Sequence, residues 1–84
     1  MEKRLLELRS RIDEIDRELA RLISERLSIC KKIGEVKSSL GLPVRDPVRE
    51  GEVLSRVPEE AREAFECILR ACVRLQEATY RNSS

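Results

Sequence analysis

Histidine and tryptophan are both absent from these 84 residues, and one phenylalanine and one tyrosine are the only aromatic side chains. Without imidazole there is no histidine to act as a general base or to activate a serine or cysteine nucleophile. Zinc loses its commonest nitrogen ligand as well. The three cysteines, Cys30, Cys67 and Cys72, are odd in number and show no C-x-x-C spacing. Neither a disulfide framework nor a metal site is therefore expected, and the thiols should be reduced in a cytosolic setting. So few aromatics leave little to stack on bases. Lysine plus arginine (17) nearly cancels aspartate plus glutamate (16), giving a net charge of +1. A general nucleic-acid or membrane binder would carry a basic stripe, so neither partner is expected. No apolar run approaches membrane length, and Met1-Glu2-Lys3-Arg4 leads into amphipathic sequence rather than a signal peptide, so the expected location is the cytoplasm.

What is present is helical periodicity. Leu5, Leu8, Ile12, Ile15, Leu19 and Leu22 recur at spacings of three and four, and Ile29, Ile33, Val36 and Leu40 resume the series. That is the heptad stripe of a helix that buries one face. Gly34 costs about 1 kcal/mol against alanine without ending the helix, whereas Gly41 followed by Pro43 is a stop signal. One helix should run from roughly Glu2 to Leu40. Asp46 before Pro47 is a start signal for a short second helix to about Arg56. Pro58, with Glu59 and Glu60 behind it, opens a third of medium length, whose face is Phe65, Ile68, Cys72, Leu75 and Thr79. The expected class is all-α, a single domain over residues 1–84. The first helix would span on the order of 55 Å, against a diameter of roughly 30 Å for a compact chain of this size. Its stripe continues past anything the chain itself can supply, so a homodimer about a two-fold axis is the economical cover.

Several polar residues break this pattern. Arg26 stands at the seam position after Leu22, where an unpaired charge would be costly. A structural ion pair with a glutamate of helix 3 or of a partner chain is one reading; an anionic ligand is the other. Lys37, eleven residues on, faces nearly the same way about 16 Å along the helix, although a solvated lysine near a helix C-terminus would also be ordinary. Arg9 flanks the seam about 25 Å from Arg26, too far to share a small ligand within one chain. In an antiparallel dimer Arg9 of one subunit approaches Arg26 of the other; alone it reads as a surface residue. Arg49 and Glu50 follow Asp46 in helix 2, and Gln76 sits one turn beyond Cys72 on helix 3, where an amide and a thiol are equally ordinary as core polarity. Cations, one acid and one neutral amide around a cavity, with no nucleophile–base pair, describe a site that binds rather than attacks.

At this point the residues resemble a known family, the all-helical (type II) chorismate mutases of bacteria and archaea, over nearly the whole length. The resemblance is carried by L-R-x-x-I-D-x-I-D from Leu8 to Asp16, by Glu25-Arg26, by Ile33-Gly34-Glu35-Val36-Lys37, by Pro43-Val44-Arg45-Asp46-Pro47-Val48-Arg49-Glu50, and by the surroundings of Gln76. It implies an intertwined antiparallel homodimer of three-helix subunits, with two sites that share residues between chains and no cofactor. It implies that Arg9 from the partner and Arg26 hold the substrate carboxylates, with Arg49 adding positive charge. Lys37 and Gln76 would donate hydrogen bonds to the ether oxygen of chorismate, and Glu50 with the backbone of Asp46 would bind the ring hydroxyl. Cys72 falls at a substrate-contacting position where related bacterial sequences commonly have serine.

The physical chemistry is compatible with that implication. Chorismate becomes prephenate by a one-substrate pericyclic shift that requires no nucleophile, metal or proton transfer. Holding a dianion in a compact conformer and stabilising charge on the ether oxygen are enough. Two alternatives remain: an isochorismate pyruvate-lyase of the same fold, which the acid at Glu50 disfavours, and a non-catalytic helical dimerisation module, which the charged set disfavours. No regulatory segment is evident within the 84 residues, so simple kinetics are expected.

Overall fold

The computed structural model describes residues Glu2–Asn82. Among them there are helices and no strands: α1 (Glu2–Leu40), α2 (Pro47–Ser55), a single 3-10 turn (Glu59–Ala61) and α3 (Arg62–Asn82). The all-α expectation and the three helices stand, one very long, one short and one medium. Helix 3 is entered through the 3-10 turn, whose first bond runs from the Ala61 amide to the Pro58 carbonyl.

The helix ends form as their residues dictate. Gly41 is in the left-handed region at φ 68°, which glycine occupies without steric cost. The Leu42 amide donates to the Lys37 carbonyl at 2.9 Å and the Gly41 amide to Ser38 at 3.2 Å. That pair of bonds is a Schellman closure, and it turns the chain back sharply beside Lys37. At the start of α2 the Asp46 carboxylate accepts from the Arg49 amide at 3.1 Å while Pro47 takes the position that needs no amide hydrogen.

α1 is 39 residues long, and the molecule measures 58 × 25 × 13 Å with a radius of gyration of 16.8 Å. A compact chain of this length would have a radius near ~12 Å, so the elongation is real and belongs to α1. Helix α3 packs along its C-terminal half. Cys30 meets Cys72 and Gly34 meets Gln76, so the two helices run in the same direction.

The interior they enclose is small. Cys30, Gly34 and Gln76 are the buried residues, and no large side chain among the described residues is fully buried. Leu8, Ile12, Ile15, Leu19 and Leu22 remain 44–54% exposed along the free half of α1. Among the described residues no helix is long and apolar enough to cross a membrane.

The cysteines require a correction. Cys30 and Cys72 are joined in a disulfide, with Cα atoms 5.5 Å apart, and Cys67 is the free, exposed thiol. An odd count guarantees one cysteine left over but does not keep the other two apart. Their separation of 42 residues brings them together only when α3 lies on α1, which no local spacing announces.

Candidate active site

A cavity of about 330 Å³ opens between α1, the 41–46 loop, α2 and α3. Its wall includes Arg26, Lys37, Asp46, Arg49, Glu50, Cys72 and Gln76. Every residue singled out in the sequence is therefore gathered at one place, except Arg9. Arg9 lies exposed on the free half of α1, about 25 Å along the helix from Arg26, and no carboxylate among the described residues pairs with it.

Lys37 and Gln76 form the centre of the polar wall. The Lys37 ammonium donates to the Val44 carbonyl at 2.8 Å and to Gln76 Oε1 at 3.1 Å. Gln76 Nε2 donates to Cys72 Sγ at 3.3 Å. An ammonium has three donors and a carboxamide nitrogen two, so one donor on each remains unspent. The loop carbonyl fixes the ammonium, the ammonium fixes the amide oxygen, and the amide nitrogen is left with a proton to give. Gln76 is only 5% exposed, so its unspent donor calls for a partner that a ligand in the cavity can supply.

Close approach of the helices makes this pairing possible. A Cβ built on Gly34 would lie 3.0 Å from Gln76 Cα and 3.0 Å from its Cγ. A glycine therefore allows the closest approach where α1 passes under Gln76, a role the sequence reading did not assign to Gly34.

The charges around the cavity are arranged unequally. Arg26 is half-buried and donates to Cys30 Sγ at 3.5 Å; no carboxylate among the described residues lies within ion-pair distance of it. The glutamate of helix 3 that would have made Arg26 purely structural is not there. The two acids, in contrast, are both engaged. Asp46 caps α2, and Glu50 is held by Arg45 through bonds of 2.8 and 2.9 Å. That bidentate fork fixes the carboxylate plane, and the Glu50 carboxylate in turn raises the pKa of the Arg45 guanidinium above its ordinary value through hydrogen bonding and charge. Arg49 points to Glu52 at 3.2 Å. The cations on the wall thus outnumber acids already committed elsewhere, and the cavity suits an anion.

Sequence reasoning missed Arg45, Gly34, the Val44 carbonyl and Cys30. Arg45 stands in the run Pro43–Glu50, but the five-residue step to Glu50 crosses a loop–helix junction and follows no helical spacing. Among the described residues no cluster of histidine, cysteine, aspartate or glutamate could hold a metal ion.

Residues 8–77 match the profile of the family described as chorismate mutase type II. The chain is similar to a chorismate mutase of Methanocaldococcus jannaschii, 41% identical over 63 residues, or 75% of this chain and 64% of that protein. It is also similar to a bifunctional chorismate mutase/prephenate dehydratase of Aquifex aeolicus, 43% identical over 73% of this chain and 17% of the relative. The chain thus spans just under two thirds of the first relative and about a sixth of the second. Among solved structures it resembles a conserved hypothetical protein from Pyrococcus furiosus, at a TM-score of 0.82 and 44% identity over 86% of this chain and 93% of that one.

Proposed function

This chain belongs to the chorismate mutase type II family, and we propose that it catalyses the rearrangement of chorismate to prephenate, in phenylalanine and tyrosine biosynthesis. The observation that carries the reading is the Lys37–Gln76 pair, with a donor to spare on each residue, set in the wall of a cavity that Arg26 and Arg49 make cationic.

In the reaction one carbon–oxygen bond of the ether breaks as one carbon–carbon bond forms, in a single cyclic shift of electrons. Negative charge builds on the ether oxygen as its bond stretches. The spare protons of Lys37 and Gln76 are aimed at that oxygen, and donors already oriented need not reorganise as the charge develops. Arg26 and Arg49 hold the carboxylates and keep the dianion folded, which converts a rare conformer into the bound one. Glu50, its carboxylate fixed by Arg45, accepts from the ring hydroxyl, whose oxygen in turn accepts from the backbone amide of Asp46. Nothing in this scheme needs a group that gains or loses a proton.

The active unit in this proposal is an intertwined antiparallel homodimer. A second copy covers the apolar half of α1 left open in the single chain, and its Arg9 completes the cavity beside Arg26. The exposed stripe from Leu5 to Leu22 and the unpaired Arg9 support this arrangement.

Incubating the purified chain with chorismate and following the decay of its ultraviolet absorbance tests the activity; decay no faster than the uncatalysed rate would refute it. Mixing inactive Arg9→Ala and Arg26→Ala chains tests the sharing. Heterodimers carry one intact site and recover activity, whereas no recovery despite demonstrated subunit exchange would place Arg9 outside the site.

A further inference from the structure

We propose that the Cys30–Cys72 disulfide is a positioning element of the active site, holding α1 and α3 at the separation at which Lys37 meets Gln76. The rate of the rearrangement then depends on the bond being intact. The proposal rests on the mutase reading above.

Four observations carry it. The bond joins α1 to α3 one helical turn before the Gly34–Gln76 contact on both helices, four residues upstream in each case. A Cβ at Gly34 would lie 3.0 Å from the Gln76 backbone, a contact tighter than ordinary packing, and such an approach has little tolerance for drift. The bond is the covalent tie at this level, where, among the described residues, Cys30, Gly34 and Gln76 are buried and the larger apolar side chains around them stay partly exposed. Both sulfur atoms also face the polar groups of the cavity: Arg26 Nη1 lies 3.5 Å from Cys30 Sγ and Gln76 Nε2 lies 3.3 Å from Cys72 Sγ.

The ring closed by the bond contains Lys37, the 41–46 loop, Arg49 and Glu50, while Arg26 and Gln76 stand one turn outside it on either side. Every cavity residue contributed by this chain is thus within or next to the covalent ring. A dithiol such as dithiothreitol supplies the two electrons and two protons that convert the bond to two thiols, closing to its own cyclic disulfide in the process. Once reduced, α1 and α3 are no longer tied at this level. The Lys37 ammonium and Gln76 amide then lose their fixed separation, although each helix persists.

The test uses the full chain, oxidised and reduced. Alkylating the denatured, unreduced protein modifies Cys67 alone, and all three cysteines react after reduction; three modified cysteines without reductant would overturn the proposal. Reduction lowers kcat between about tenfold and a hundredfold, the scale of a misplacement of roughly 1 Å, while KM changes little and helical circular dichroism is retained. Cys30→Ser with Cys72→Ser reproduces the loss in the absence of reductant, and Cys67→Ser behaves as the parent. If the bond only stabilised the fold, reducing it would lower the melting temperature and leave kcat unchanged well below that temperature, and that result would sink the idea.

Gln76 is the only glutamine in the chain, so its side-chain amide gives one identifiable pair of signals in a nitrogen-15 spectrum. That pair is dispersed when the bond is intact and moves to the position of a free amide on reduction. A pair that stays dispersed overturns the proposal even if the chain proves inactive on chorismate, an outcome that would separately remove the mutase reading.

Discussion

From Glu2 to Leu22 every side chain of α1 is exposed, whereas beyond Ile23 the same helix has Cys30 and Gly34 buried and Arg26 and Lys37 half-buried. Both halves follow one heptad rule, with leucine and isoleucine at spacings of three and four. The difference lies in what the chain offers each half to pack against. α3 covers the second half, and among the described residues nothing reaches the first. Binary pattern therefore states that a face is to be buried without stating by what. The polar residues that interrupt the stripe differ accordingly: in the covered half they point into a cavity, and in the uncovered half Arg9 waits in solvent.

The largest effect should come from attacking the uncovered half. Ile12→Glu combined with Ile15→Glu puts two carboxylates on the stripe. If a second copy covers it, each site forfeits the roughly 1.5–3 kcal/mol of a buried isoleucine and adds the cost of burying a charge. Light scattering should then report a single subunit, and chorismate turnover should fall to the uncatalysed rate. Full activity in a compact single-subunit particle would show that the two halves need no different partners.

Within the covered half, Lys37→Ala removes the residue that ties α1 to the loop and to Gln76. A fall in kcat of about 10²–10³ is expected, the scale for losing one donor aimed at a developing oxyanion. A rise in KM with kcat preserved would make Lys37 a ground-state binder instead.

Gln76→Glu refines that result through pH. The new carboxyl would sit beside the Lys37 ammonium, which favours its ionised form. Ionised, it has no proton to donate; protonated, it does. Activity should therefore be depressed at pH 8 and rise as pH falls towards 5, the reverse of a group needed as a base. Equal rates at the two pH values would mean that Gln76 does not face the reacting oxygen.

Gly34→Ala probes the contact that the covered half has and the uncovered half lacks. The added carbon would meet the Gln76 backbone at 3.0 Å, so α3 must give by a few tenths of an ångström. Overpacking costs about 1–3 kcal/mol, partly offset by the roughly 1 kcal/mol that alanine gains over glycine in a helix. A modest loss of stability with a kcat loss of about tenfold is expected; a more stable, fully active variant would show that the approach is looser than the geometry implies.

Much of this was legible in the sequence because the signals are local. Helix limits followed from Gly41, Asp46-Pro47 and Pro58, whose backbone preferences act within a residue or two. Arg26 and Lys37 stood out by breaking a periodic stripe. The Cys30–Cys72 bond, the Gly34 approach and the Arg45 fork on Glu50 were not legible. Each depends on how two elements meet, and their spacings of 42, 42 and five residues match no helical or hairpin period. Arg26 also illustrates how a position can be read while its partner is not: the stripe revealed the charge, and only packing showed that helix 3 brings no carboxylate to it.

The smallest effect is expected at the junction of the two halves. Arg21 bridges Glu18 at 2.6 Å and Glu25 at 3.2 Å, off the apolar stripe and in solvent. Hydrogen bonding to Arg21, with its charge, holds the Glu18 carboxyl below its ordinary value. A depressed carboxylate pKa contributes stability above the unfolded-state value, and that contribution is lost as pH falls through the lower, folded-state value. Exposed pairs are well screened, so Glu18→Gln should lower the melting temperature only slightly at neutral pH. The difference should vanish in acid, where the parent carboxyl is also neutral, and shrink in high salt. Subunit association and chorismate turnover should stay as in the parent. A change in association from this one substitution would extend the seam around the helix to Glu18, and the boundary between the two halves would then have to be drawn by electrostatics as well as by the apolar stripe.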